Sequence, residues 1–374
     1  VSALRPSAIP ARPLLITSAL LGAAATLASA ARGLPLALGA TNAQLRAGTA
    51  GAARGADGTY RNTEPSTWLS PRTAIPVLAL LARRGRTGRP SLPVPLAPVT
   101  CPAAADTLAL TWFGHSTVLV EIDGRRVLAD PVWGERVSPS PLIGPRRMHP
   151  VPAPLAELPP VDAVLISHDH YDHLDLPTVR ALAQAGQTPF VVPLGVGAHL
   201  RRWGVPDERI IELDWGGRTR VAGLSITCAE ARHFSGRGLR RDTTLWSSWA
   251  IAGPTRNVYV CGDTGYTAAF TRAGRQLGPF DLAVLPIGAY NERWPDVHLT
   301  PEDAVRAHRD LRAAVLVPVH WATFNLGFHP WSEPVVRLLR AAEDDGAQLT
   351  VPRPGERIDL TAPSPLRDWW TATA

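Results

Sequence analysis

Residues 161–173 read Val-Asp-Ala-Val-Leu-Ile-Ser-His-Asp-His-Tyr-Asp-His, an apolar run followed at once by three histidines and two aspartates. A run of that length and character predicts a short buried strand. Its end delivers His168, His170, Asp172 and His173 together at one sheet edge. Three imidazoles and a carboxylate within one turn repel one another or stay wet unless a cation organises them. Imidazole nitrogen with carboxylate oxygen suits zinc and leaves room for a bound water. Iron and manganese stay open, because the same donors admit both. The chain must therefore fold so that strand ends gather on one rim.

Other strand ends supply the rest of a dinuclear set. His233 follows the apolar run 224–228, Asp263 closes Asn-Val-Tyr-Val-Cys-Gly-Asp, and His320 closes Ala-Val-Leu-Val-Pro-Val-His. Singly, a histidine after a strand says little; in this order the three complete a pattern. Further strands are predicted at 108–113, 118–122, 127–129, 190–192, 210–213, 245–252 and 282–285, with helices at 176–185, 301–312 and 333–342. Asp123-Gly124 is a hairpin turn. Thr300 before Pro301 and Asp303 is a helix start. Strands interleaved with helices fit an α/β protein of two sheets between helical layers.

Charge narrows the function. The pI near 9.9 invites a nucleic-acid reading, yet residues 1–100 carry 11 Arg against Asp57 and Glu64, a net of +9, and the remainder carries 27 Arg against 30 acids, a net of −3. The part with the His/Asp cluster is mildly acidic, which disfavours a nuclease and any nucleic-acid partner. A basic leader beside an apolar stretch matches an anionic membrane surface better. All 38 basic residues are Arg, so no lysine nucleophile exists. Cys101, Cys228 and Cys261 are odd in number and far apart, and no disulfide framework is indicated.

Residues 1–40 read as an apolar leader. The uncharged segment 13–31 lies between Arg12 and Arg32, with Ala28-Ser29-Ala30 resembling a cleavage site, so signal peptide and membrane anchor are both expected readings. The protein would be membrane-associated either way: exported if the leader is cleaved, on the cytoplasmic face if it is retained. Residues 41–106 form a basic Pro/Gly-rich extension, either a linker or extended chain over the domain. The catalytic domain is expected over 107–360 and a C-terminal tail over 361–374; a homodimer is left open.

The sequence resembles the metallo-β-lactamase superfamily, and within it the N-acylphosphatidylethanolamine-hydrolysing phospholipase D branch with its bacterial relatives. Beyond the cluster, the resemblance rests on Trp-Phe-Gly-His-Ser-Thr (112–117), Leu-Ala-Asp-Pro (128–131), Gly-Pro-Arg-Arg (144–147), Glu-Leu-Asp-Trp (212–215) and Pro-Ile-Gly-Ala-Tyr (286–290). It implies an αββα sandwich with two zinc ions, one held by His168, His170 and His233, the other by Asp172, His173 and His320, with Asp263 bridging. It implies a zinc-dependent phosphodiesterase of phospholipase D type on N-acylphosphatidylethanolamine-like phospholipids, the metals sharing a hydroxide for attack on phosphorus. Asp172, Asp263 and His298 are the candidate catalytic residues, His298 for phosphate binding or proton donation. Asp130 is expected to support the ligands by hydrogen bonds, and His115 to be a buried, hydrogen-bonded histidine. Arg237 and Arg293 are candidates for gripping phosphate, although in a chain with 38 Arg a solvated surface role is the default reading of each. The alternatives are a soluble metallo-hydrolase of a lactone or cyclic phosphodiester, and a non-catalytic membrane-attached binding protein. Cys261 is expected to face the core, which argues against β-lactam hydrolysis.

Overall fold

The computed structural model describes residues 33–48, 55, 57–66, 87–238, 240–361 and 366–373. Most of the apolar leader therefore lies outside the described residues. Among the described residues, no helix is long and apolar enough to cross a membrane.

Two sheets make up the framework. The first contains β1 (Leu108–Trp112), β2 (Val118–Ile122), β3 (Arg125–Ala129), β4 (Ala163–Leu165), β5 (Phe190–Pro193), β6 (Ile210–Leu213) and, at its far edge, β13 (Arg357–Asp359), in the order β13-β1-β2-β3-β4-β5-β6. The second contains β7 (Arg218–Val221), β8 (Leu224–Ala229), β9 (Ser248–Ala252), β10 (Asn257–Val260), β11 (Phe280–Pro286) and β12 (Ala313–Val319), in the order β12-β11-β10-β9-β8-β7. Each sheet mixes an antiparallel portion with parallel pairs, β3–β4–β5–β6 in the first and β10–β11–β12 in the second.

Alternation along the strands explains the layering. In β4, Ala163 and Leu165 enter the inter-sheet core while Val164 faces the opposite side; in β5, Val191 faces inward and Phe190 and Val192 outward. The inward set meets Ile226, Ile251, Val258 and Leu282 of the second sheet. Ahead of both sheets in the chain comes α1 (Asn42–Gly48). The outward set is covered by Val179 of α2 (Leu176–Ala185) and by Val196 and Leu200 of α3 (Val196–Arg202). On the far side, α4 (Ala269–Gln276), α5 (Pro301–Leu311) and α6 (Glu333–Asp345) bury Phe270, Ala304 and Val335. The result is the expected α/β, αββα sandwich.

Local signals explain the boundaries. Asp123 and Gly124 form the two-residue turn between β2 and β3 with φ of 48° and 76°, as an Asp-Gly hairpin requires. The Thr300 side chain accepts from Asp303 N–H at 3.1 Å at the start of α5. The strand expected over 245–252 begins only at Ser248, and β7, β13, α3 and α4 were not anticipated. β7 is Arg-Thr-Arg-Val, too charged to show an apolar run. In α4, Gly274 stands where a Cβ would lie 2.1 Å from the Asp310 carbonyl oxygen, so close packing on α5 requires glycine there.

Two flanking segments have partners on the sandwich. Tyr60, Val94 and Ala97 of the extension are buried, and Ala97 N–H donates to Pro354 O at 2.9 Å. The described parts of 41–106 thus include extended chain laid on the domain, one of the two expected readings. In the segment 361–374, Trp369 and Trp370 are buried, and Trp369 packs on Trp321 with ring centroids 5.2 Å apart.

Candidate metal centre

Strand ends from both sheets meet at one rim. β4 runs out at Leu165, and the turn 168–173 carries four of the expected ligands before Asp175 caps α2 through Thr178 N–H. His233 follows β8, Asp263 follows β10 and His320 follows β12. His298 sits two residues before Thr300, the cap of α5. Three residues of the rim, His115, Asp130 and His320, have φ of 51°, 43° and 62°. Non-glycine residues adopt that region rarely, and where they do the surrounding contacts must hold them.

All seven expected ligands come together. His168, His170, His233 and Asp263 form one group whose potential ligand atoms lie within 4.8 Å of one another, and Asp172, His173, His320 and His115 form a second. Asp263 reaches into both: its Oδ2 lies 3.2 Å from His173 Nε2 and 3.1 Å from His320 Nε2, as well as 3.7 Å from His233 Nε2. In the first group, His168 Nε2 and His170 Nδ1 are 2.8 Å apart, and His170 Nδ1 lies 3.3 Å from His233 Nε2.

These residues fit cations. His173 Nε2, His320 Nε2 and Asp263 Oδ1 are buried without a hydrogen-bond partner. Buried polar atoms are normally paired, and an unpaired one costs about 1–3 kcal/mol. Several such atoms converging on two points is the arrangement a pair of divalent ions satisfies. Donors about 2.1 Å from a tetrahedral ion lie about 3.4 Å from one another, which is the range of most of these separations.

The rear face of the site is hydrogen-bonded. Asp130, at the end of β3, accepts from Ser167 N at 2.7 Å, from Ser167 Oγ at 2.6 Å and from His173 Nδ1 at 2.7 Å. That bond leaves His173 Nε2 as the nitrogen facing the centre. Ser167 Oγ also lies 2.9 Å from His168 Nδ1. His233 Nδ1 donates to Val297 O at 2.8 Å, which aims Nε2 inward. His115 Nε2 donates to Asp172 Oδ2 at 2.9 Å, with the His115 N–H donating to Thr323 Oγ1 at 2.6 Å. The expectations for Asp130 and His115 as buried, hydrogen-bonded supports match this geometry. The sequence did not reveal that His115 bonds a cluster carboxylate; Gly114, which only fits against Thr323 and His149 because it lacks a Cβ, was the available signal.

Electrostatics divide the cluster. Burial pushes Asp172 and Asp263 up, but His173 above all, with His320 beside both, holds the two carboxyls well below the usual range. Burial pushes His173 and His320 down, yet the carboxylates of Asp263 and Asp172 outweigh it, raising His173 well above its ordinary value and His320 to about 9. His168 and His233 are driven well below theirs, first by burial and then by neighbouring imidazoles. In the metal-free protein His173 and His320 thus carry protons that a cation must displace, whereas His168 and His233 offer free lone pairs.

Two other expected residues behave differently. Arg237 is buried, and its guanidinium donates to Asp169 O and Leu174 O at 2.7 Å each and to Ala37 O at 3.0 Å. It is committed to backbone carbonyls and does not face phosphate, which corrects that expectation. Arg293 is exposed. Cys261 is buried, accepts from Ser248 Oγ, and is pushed up to about 12 by burial, as expected of a core thiol.

A model of the β-lactamase superfamily domain matches residues 125–321. Over 360 residues the chain is 53% identical to an uncharacterized protein of Mycobacterium tuberculosis, covering 94% of this chain and 96% of that one. Over 232 residues it is 40% identical to N-acyl-phosphatidylethanolamine-hydrolyzing phospholipase D 1 of Caenorhabditis elegans, covering 59% of this chain and 65% of the relative. Among solved structures, Igni18, a metallo hydrolase from Ignicoccus hospitalis, aligns with a TM-score of 0.53 at 25% identity, covering 67% of this chain and 97% of that one. With its fold, its His/Asp rim and these matches, the chain belongs to the metallo-β-lactamase superfamily of metal-dependent hydrolases.

Proposed function

We propose that the protein is a zinc-dependent phosphodiesterase of phospholipase D type that hydrolyses N-acylphosphatidylethanolamine-like phospholipids at a membrane surface. The observation that carries the reading is the complete seven-residue His/Asp rim in a chain 40% identical over 232 residues to a phospholipase D of that specificity. A cavity of about 700 Å³ adds support: Tyr171, between ligands His170 and Asp172, lines it together with Leu142, Leu176 and Pro177. Leu142 and Ile143 are exposed at 41% and 70%. An apolar recess one residue from the rim suits an acyl chain better than a small polar ester.

His168, His170 and His233 would hold one zinc ion and Asp172, His173 and His320 the other, with Asp263 shared. Bound there, the ions supply an acidified water and neutralise charge on the phosphodiester oxygens. The chain's own residues set the geometry. His115 fixes the Asp172 carboxylate, and Asp130 and Val297 fix the imidazoles of His173 and His233. His298 Nδ1 lies 3.8 Å from Asp263 Oδ2, and burial pushes this histidine down to about 4. It is neutral near pH 7, so its role is to hydrogen-bond a phosphate oxygen rather than to protonate the leaving alkoxide as an imidazolium.

Incubating zinc-loaded protein with vesicles containing N-acylphosphatidylethanolamine, beside a panel of soluble lactones and cyclic phosphodiesters, tests this by mass spectrometry. Phosphatidic acid and N-acylethanolamine are the expected products. Rapid cleavage of a soluble ester with no phosphatidic acid overturns the lipid reading in favour of a soluble hydrolase. Removing residues 1–32 is expected to lower turnover on vesicles and to leave any turnover of monomeric short-chain substrate unchanged.

A further inference from the structure

His233 is held from two directions. Its ring is aimed by Val297 O, as described above, but its backbone is held by a residue 171 positions earlier. The Asn62 side chain donates through Nδ2 to His233 O at 2.8 Å and accepts through Oδ1 from His233 N–H at 3.1 Å. A single amide thereby pairs with both peptide groups of one candidate ligand. The amide is itself fixed: Trp246 Nε1 donates to Oδ1 at 3.0 Å, and Nδ2 also reaches Ser66 Oγ at 2.8 Å.

The surrounding chain shows that this is a built contact. Tyr60 is buried against Ala231, Leu245 and Trp246, and its N–H donates to Asp242 O at 2.8 Å. Glu64 accepts from Thr267 Oγ1 at 2.7 Å and from Ala268 N–H at 2.9 Å. Arg232, next to His233, donates to Pro65 O. Residues 60–66 therefore run beside the His233 loop. After β8 ends at Ala229, His233 belongs to no strand, so no sheet partner holds its peptide groups. Asn62 supplies both bonds from a side chain.

We infer that Asn62 is a positioning residue for the metal centre: by clamping the His233 backbone it fixes where Nε2 points, and so makes the N-terminal extension part of the His168/His170/His233 site. This rests on the metal reading given above. Residues behind metal ligands typically contribute about 10–100-fold in affinity. Asn62→Ala should weaken the first cation by about that factor and leave the Asp172/His173/His320 cation in place.

Zinc-loaded wild type, Asn62→Ala, Asn62→Asp and Glu64→Gln are titrated with a competing chelator, and bound metal is counted by native mass spectrometry. Asn62→Asp keeps the shape and the bonds from His233 N–H and Trp246 Nε1, and loses the donor to His233 O and to Ser66 Oγ, whose hydroxyl can turn to donate to the carboxylate instead. It serves where the alanine variant does not fold. The expected result is two ions in wild type and Glu64→Gln, and early release of one ion from both Asn62 variants. Hydrogen exchange on the metal-free proteins should show the His233 amide exchanging faster in Asn62→Ala than in wild type. Two ions retained by both Asn62 variants at wild-type chelator midpoints overturn the inference while leaving the metal reading intact. Equal loss in Glu64→Gln also overturns it, since docking of the whole extension would then suffice. Wild type holding no metal overturns both.

Discussion

Asp130→Asn tests the hydrogen-bonded rear of the centre most severely. The carboxylate accepts three bonds, one at Oδ1 from Ser167 N and two at Oδ2 from Ser167 Oγ and His173 Nδ1. An amide has one acceptor oxygen and a donor NH2. If the oxygen stays on the His173 side, the NH2 meets Ser167 N–H head-on at the observed 2.7 Å. If it turns to Ser167 N–H, the NH2 faces His173 Nδ1 and drives the imidazole proton to Nε2, removing the lone pair aimed at the centre. The first arrangement leaves buried donors opposed, costing about 1–3 kcal/mol; the second satisfies the amide and takes a donor atom from the centre. Apparent zinc affinity at the Asp172/His173/His320 site should drop about 10–100-fold, or about 1.4–2.8 kcal/mol. The His168/His170/His233 site, reached from Asp130 only through Ser167, should lose less. Zinc titration against a chromophoric chelator measures both steps. Two unchanged binding steps in a folded Asp130→Asn protein would refute the tautomer argument.

Two further outcomes follow from the same geometry. His298→Gln should lower kcat/KM about 100-fold with both ions retained, the loss expected on removing one donor to a phosphate oxygen; loss of an ion in that variant would instead make His298 a ligand with Asp263 and His320, the third grouping at the rim. Asp242 is pushed up to about 6 by burial, against the Ser235 N–H and Arg241. Between pH 4 and 6 the unfolded chain gives up that proton before the folded one, so stability falls through this window and the penalty is complete above it. Asp242→Asn, at a φ of 59° that Asn tolerates, should add about 2 kcal/mol at pH 8 and nothing at pH 4 in urea unfolding; equal gains at both pH values would refute the assignment.

The ligands were legible because each stands where an apolar run stops, and a buried strand has to end at a rim. β4 and β5 were legible as apolar runs, but because every residue in them is apolar, only the structure shows which face meets the other sheet. What the sequence concealed is set by partners distant along the chain. Asn62 looks like any polar residue in a Pro/Gly-rich extension until His233 is seen beside it. Arg237 looked like a solvated or phosphate-facing arginine because its charge is local information, whereas the carbonyls of Ala37, Asp169 and Leu174 that absorb it are not. Trp369 and Trp370 read as tail residues because nothing nearby in sequence announces Trp321.

The long reach of the extension also has a consequence in time. Carbonyls and amides at Pro35, Leu36, Ala37 and Ala40, at the end of the leader, and at Asn62 in the extension pair with residues 159 to 200 positions later. A ribosome releases that stretch well before its partners exist, and closing loops of such length costs on the order of 5 kcal/mol of chain entropy. The peptide groups of His233 therefore gain their Asn62 partner only once residues made early and late in synthesis are brought together.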